Sequence, residues 1–293
     1  MAKRFIGCSF INLFLSGMTV RLHHHSQLRH SQMNFRLPPL RAILGIESSC
    51  ETRIKRTLLM GSIFLISVAS NAGQAQQLKG TESRVPFVGC RSDGQVGPQP
   101  APKSRRTPLI PSNEARRLAY YAASTGPGVL APRGWHCFGA YGSGGDSLVV
   151  TPETLGSELR TGGGAVELTY AFGGTSGRGT VADAIARYFP RYRDFIRANL
   201  EFLKDRGFPS GPYAHDSFSR RTDTLVRYVT PARTRGGGTE SALAPSTEPI
   251  QGLAMLVIDT DGPDLLQVRV RLPDSDHGLA GTILHEAELE GRH

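Results

Sequence analysis

The sequence predicts an α+β fold: a single domain in which a mixed, mostly antiparallel sheet carries about three helices on one face. Three observations predict it. Residues 135–150 hold alternating aromatics, a glycine-rich turn and a β-branched run, the signature of a hairpin. Residues 165–172 (AVELTYAF) place Val166, Leu168, Tyr170 and Phe172 on one side, as a half-buried strand does. Residues 180–206 are long enough for two helices before the next strand, so one connection in the sheet is a crossover.

Taken in order, Arg84–Gly89 reads as a short strand delivering Cys90. Residues 91–111 are dense in proline (Pro98, Pro100, Pro102, Pro108, Pro111), which favours an extended strap laid along the body over a helix. Ser112 is a good N-cap, with Glu114 in the first turn and Gly126 past the end. A helix over 113–124 then places Ala115, Leu118, Ala119 and Ala122 on one face. Gly128–Pro132 is a short strand or turn, followed by strands near 135–141 and 147–150. Pro152 to Arg160 reads as a short helix. After the strand at 165–172, the turn Gly173–Gly179 reads as a tight connection needing positive φ. Helices follow to Phe189 and, from Pro190, to Arg206, with Tyr192, Phe195, Ile196, Asn199, Phe202 and Leu203 inward. Phe208–Ser219 is a loop and 223–229 a strand. Residues 231–249 form a polar stretch around Gly236-Gly237-Gly238, a length that marks function or mobility. Strands at 250–258 and 265–272 are joined through Asp259–Pro263, and a helix over 276–290 closes the domain.

The first quarter reads differently. Thr57–Ala69 is an apolar run behind Arg53, Lys55 and Arg56, followed by Ser70-Asn71-Ala72 and Gly73-Gln74-Ala75. A basic flank, a short apolar core and small residues at the exit make 53–75 a secretory signal peptide cut after Ala75. The run is shorter than the roughly 20 apolar residues a membrane span needs. Residues 1–52 show no sustained periodicity and read as a mis-assigned or disordered leader, with Met33 as one possible start. An export signal at Phe5–Val20 is the weaker alternative, because polar residues interrupt it. The expected organisation is therefore leader 1–52, signal 53–75, strap 76–111 and α+β domain 112–293. The expected location is the periplasm or the exterior of a bacterium.

Charge agrees with that division. The chain carries 34 basic and 25 acidic residues, net +9. Nine of the basic ones and only Glu47 and Glu51 fall in 1–75, which leaves 25 against 23 in the remainder. That balance gives no electrostatic footprint for nucleic acid. The same remainder holds two cysteines, Cys90 and Cys137. In an oxidising compartment the simplest reading of the pair is one disulfide, and two buried free thiols are the alternative.

The segments Phe87–Pro98, Val129–Gly139 (VLAPRGWHCFG) and Gly174–Arg178 (GTSGR) resemble a group of uncharacterised exported proteobacterial proteins. The resemblance spans about residues 84–285 and implies an exported single-domain product with no known activity.

Motifs for chemistry are incomplete. Gly177, Gly179 and Ala182 match G-x-G-x-x-A after a strand, but the acidic residue expected at the end of a second strand falls inside a helix. Neither Gly174–Arg178 nor Gly142-Ser143 completes G-x-S-x-G. His285-Glu286-Ala287-Glu288-Leu289 has leucine where H-E-x-x-H needs its second histidine, so no metal and no cofactor are expected. His215 and Asp216 sit in a polar loop. The binding candidates are Trp135, His136 and Tyr141 of the hairpin, with Ser176 and Arg178 of the glycine turn as a possible anion contact. Trp135 suits a recognition surface or a core position. Two function classes compete: a non-catalytic envelope protein that binds a partner or surface component through residues 133–147, and a hydrolase of an envelope polymer whose groups converge only in the fold. N-terminal sequencing of the exported product is expected to read from Gln76, or from Gly73 if the earlier small-residue site is used. A first residue within 1–52 refutes the signal assignment.

Overall fold

Alternating apolar residues along the segments between 136 and 271 assemble one large sheet, and its two faces position everything else. The computed structural model describes residues 81–154, 161–204, 207–260 and 262–292, all within the compact unit Gly73–His293. The leader at 1–52, the signal peptide and its cut after Ala75 lie outside the described residues. In chain order come β1 (Glu82–Arg84), β2 (Phe87–Gly89), β3 (Arg91–Gly94), β4 (Leu109–Pro111), the one-turn helix α1 (Ser112–Ala115), β5 (Leu118–Ala122) and β6 (Val129–Pro132). The hairpin β7 (His136–Gly142) and β8 (Gly145–Thr151) leads to β9 (Ala165–Ala171), α2 (Arg178–Tyr188), α3 (Arg193–Ala198) and α4 (Leu200–Leu203). Then follow β10 (Ser217–Arg220), β11 (Leu225–Thr230), β12 (Ile250–Asp259), β13 (Gly262–Arg271) and α5 (Ala280–Glu290).

The eight-stranded sheet runs β10-β11-β12-β13-β9-β8-β7-β3. Every pairing in it is antiparallel except β3 with β7. A smaller sheet, β2-β5-β6, and the pair β1-β4 complete the strands. An α+β architecture with a mixed, mostly antiparallel sheet is thus what the chain forms. None of the helices among the described residues is long and apolar enough to cross a membrane.

Period-two alternation sends neighbouring side chains to opposite faces. On β13, Leu266, Val268 and Val270 join Leu253, Met255, Leu168, Val166, Leu148 and Val150 against β5, β6 and α5. On the other face, Leu265 joins Leu256, Ala254, Val226 and Ala171 beneath Val181, Ala184, Ile185 and Tyr188 of α2. Each such fully buried aliphatic side chain stabilises the fold by about 1.5–3 kcal/mol. The expectation of helices on one face is therefore corrected: α2 and α5 lie on opposite faces. The central strands are apolar on both sides at this end, so a single covering layer would leave half of them wet.

The predicted helix over 113–124 is a second correction. Only Ser112–Ala115 is helical, and Leu118–Ala122 is a strand with all five residues buried. A short apolar run suits either state, and here hydrogen-bonding edges decide it: β5 pairs with β2 in parallel and with β6 in antiparallel sense. The glycine turn is a third. None of Gly173–Gly179 has positive φ. Their smallness serves close approach, because a Cβ on Gly173 would sit 2.1 Å from the Pro263 carbonyl oxygen, and one on Gly177 2.2 Å from that of Gly144. The loop expected over 208–219 contains β10. The helix expected to Arg206 is broken into α3 and α4, leaving Phe202 exposed beneath the Arg178 guanidinium. Of the helix expected over 152–160, residues 155–160 lie outside the described residues, and Pro152 and Glu153 form a bend.

The strap behaves as its prolines require. Cys90 and Cys137 lie at disulfide distance, Sγ to Sγ 2.07 Å. Beyond Cys90, β3 pairs with β7, the chain doubles back so that Gln99 and Ser92 exchange backbone hydrogen bonds, and β4 closes on β1. The link closes a loop with a sequence separation of 47. A Cys90→Ala/Cys137→Ala double variant is expected to lose about 4 kcal/mol in denaturant unfolding on the loop-entropy account. Equal stability with and without the bond refutes that contribution.

Candidate functional site

Tyr120 is the starting point. It is buried on β5 and lies across Gly128, where a Cβ would come within 2.4 Å of its ring. Neighbouring Tyr121 points away and donates to the Pro132 carbonyl at 2.7 Å. The Tyr120 hydroxyl donates to Glu290 Oε1 at 2.8 Å. Burial, with the Glu290 carboxylate beside it, pushes its pKa well above the ordinary phenol value. At neutral pH it is therefore a fixed donor.

Tyr120, Val129 and Leu130 form the floor of a cavity of about 630 Å³, within the roughly 300–1,000 Å³ range of ligand pockets. One wall is Arg84 of β1 with strap residues 105–109. The other is α5, where Glu286, Leu289 and Glu290 fall at i, i+3 and i+4 on one helix face. Two arginines hold the first wall in place. Arg84 donates to the Thr107 carbonyl at 3.0 Å, and Arg105 to those of Gly126 at 2.7 Å and Ser124 at 3.4 Å. Leu109 and Leu289 line the cavity yet stay 50% and 39% exposed. Burial raises the Glu286 pKa, and the Glu290 and Glu82 carboxylates add to the rise against His285. A cavity joining apolar surface, a buried phenol and a carboxylate burdened by burial has the makings of a binding site.

The residues singled out in the sequence lie elsewhere. Trp135 is half-buried against the main core, its ring beside Gly164. His136 is exposed at the start of β7, opposite Thr151. Tyr141 is tied to the strap, donating to the Gly97 carbonyl at 2.5 Å and accepting from Gln99 at 3.4 Å. At the hairpin tip Ser176 Oγ lies 2.9 Å from Ser143 Oγ. Arg178 donates to the carbonyls of Thr175 and Gly174 at 2.8 and 2.9 Å, so its guanidinium closes the turn on itself. His136 and Ser176 are not brought together: the length of β7, roughly 20 Å, separates His136 from the tip that holds Ser176. His215 is exposed, whereas Asp216 is drawn in by Thr230 Oγ1 at 2.8 Å and the Gly237 N–H at 2.8 Å. No local pattern in the sequence marks the cavity, because its walls come from residues 84–109 and from α5, far apart along the chain. The available signal was Glu286 and Glu290 one helical turn apart.

Two further polar clusters stand apart from the cavity. Across the sheet, Arg269 faces Glu167 at 3.8 Å and donates to the Gly237 carbonyl at 3.0 Å, with the Tyr228 ring laid over Gly252 beside them. This row is buried under the polar stretch 231–249 and fixes it. Near the domain's end, Glu248, Asp274 and His277 bring one ligand atom each within 4.8 Å. His277 Nε2 faces Glu248 at 3.3 Å and Nδ1 faces Asp274 at 3.4 Å.

The raised Glu286 pKa has a definite sign. The folded state holds that proton more tightly than the unfolded chain, so stability falls as pH rises through the carboxylate range and stays lower above it. Glu286→Gln is expected to raise stability at pH 7 and to lose that advantage in acid below the unfolded carboxylate pKa. Denaturant unfolding at the two pH values checks it, and a destabilised variant at pH 7 refutes it. Comparison of the chain with protein-family models, curated proteins and solved structures finds no match.

Proposed function

We propose that this is an exported, non-catalytic binding protein of the cell envelope whose ligand occupies the cavity between the strap and α5. The carrying observation is the cavity itself, where half-exposed Leu109 and Leu289 flank buried Tyr120 and the Glu286 carboxylate. Apolar side chains left open at the mouth of a polar-lined cavity gain by being covered. The strap wall is already held by Arg84, Arg105 and the cysteine pair, so little ordering cost remains for a ligand to meet. The cavity replaces the 133–147 hairpin as the binding region, since Trp135 and Tyr141 are engaged within the fold.

Hydrolysis of an envelope polymer is the second reading, favoured by Glu286 and Glu290 one turn apart in the same cavity. Against it, Glu290 is committed to the Tyr120 hydroxyl, leaving one carboxyl free where acid–base hydrolysis uses two. Leu109→Trp adds bulk at an exposed wall position and is expected to abolish ligand-induced thermal shifts in an envelope-component panel while the free protein melts as before. Shifts that survive it place binding elsewhere. Turnover of any panel polymer that Glu286→Gln abolishes favours the hydrolase.

A further inference from the structure

The charged groups lining the cavity are of both signs, and they are sorted by wall. Arginines sit on the β1–strap side and glutamates on the α5 side. Most are occupied within the fold. Arg84 and Arg105 donate to backbone carbonyls, and Glu290 accepts from Tyr120. Two remain: exposed Arg106 on the strap and Glu286 on the helix line the cavity with no hydrogen bond or ion pair among the described residues. Glu286 is half-buried, and burial already disfavours its charge, so a cation beside it would relieve a cost the free protein carries. The same cavity is lined by the apolar side chains of Leu109, Leu289, Val129 and Leu130.

Resting on the cavity as the binding site, we infer that the ligand is a short apolar peptide with both termini free. Its ammonium meets Glu286, its carboxylate meets the Arg106 guanidinium, and its side chains cover Leu109 and Leu289. Arginine suits the carboxylate end because its fork offers two parallel N–H donors.

Isothermal titration of the folded protein with Leu-Leu, N-acetyl-Leu-Leu, Leu-Leu-amide and free leucine tests this, with circular dichroism checking each variant's fold. Leu-Leu is expected to bind, and acetylation or amidation to weaken it about 10- to 100-fold each. Glu286→Gln should weaken Leu-Leu by a similar factor and erase the acetylation penalty. Arg106→Gln should do the same for amidation. Equal binding of the blocked peptides, or no binding of Leu-Leu, overturns the inference, and free leucine binding as tightly as Leu-Leu overturns the peptide assignment. If Leu109→Trp still blocks some other panel ligand, the cavity reading stands while this one falls. If Leu109→Trp blocks nothing, the cavity reading falls as well.

Discussion

Strands β9 and β13 lie at the middle of the large sheet with layers on both faces, and their double burial constrains the rest of the structure. One face is met by apolar contact with β5, β6 and α5. On the other, α2 covers only the Leu265 end, and further along come Glu167, Arg269 and Arg271, which are 6%, 4% and 1% exposed. Charges taken so far out of water must be matched, since leaving one unmatched costs about 3–5 kcal/mol. Arg271 is matched by backbone carbonyls of Gly163, Ala244 and Thr161, each at 2.6 Å. The residues around 161–164 and 231–249 are thereby drawn onto the sheet, although their composition reads as loop. Gly236, Gly237 and Gly238 allow that close seat, since a Cβ on Gly236 would meet Asp216 at 2.0 Å and one on Gly238 would meet Ile250 at 2.7 Å.

The candidate site depends on a different economy of disorder. A proline-rich strap with only short strands at its ends would be a poor wall if it were free. It is held at one end by Cys90 against β7, in the middle by Tyr141 and Arg105, and at the far end by β4 on β1. Prolines reduce what the chain loses by being fixed, and each tether reduces it further. Gly89 lets the strap pass close, with the Pro102 carbonyl where a Cβ would lie 2.2 Å away. Opposite it, α5 is anchored by Ile283, Leu284 and Ala287 in the main core, which aims Glu286 and Glu290 at the cavity.

Much of the fold was legible in the residues because its signals are local. The β7–β8 and β12–β13 hairpins announce themselves by alternation around glycine-containing turns, and β9 by strict alternation alone. The strap followed from proline's fixed φ and missing donor. The failures share one cause. Leu118–Ala122 has no alternation to read, and its state was settled by two strands offering backbone partners. The glycines at 173–179 read as a φ requirement because sequence shows a turn but not the Pro263 and Gly144 carbonyls that crowd it.

By itself, then, the sequence determined the mostly antiparallel sheet, the hairpins and the extended strap, and left one Cys90–Cys137 bond as the simplest reading of two cysteines, all consequences of period, backbone chemistry or count. Tertiary structure alone decided which face each helix covers and where a cavity opens. Tyr120 and Glu290 are 170 residues apart and meet at 2.8 Å because β5 and α5 pack on the same side of the large sheet. Contacts of that kind depend on how layers stack, and stacking is set by the summed burial of both faces rather than by any pattern within one segment.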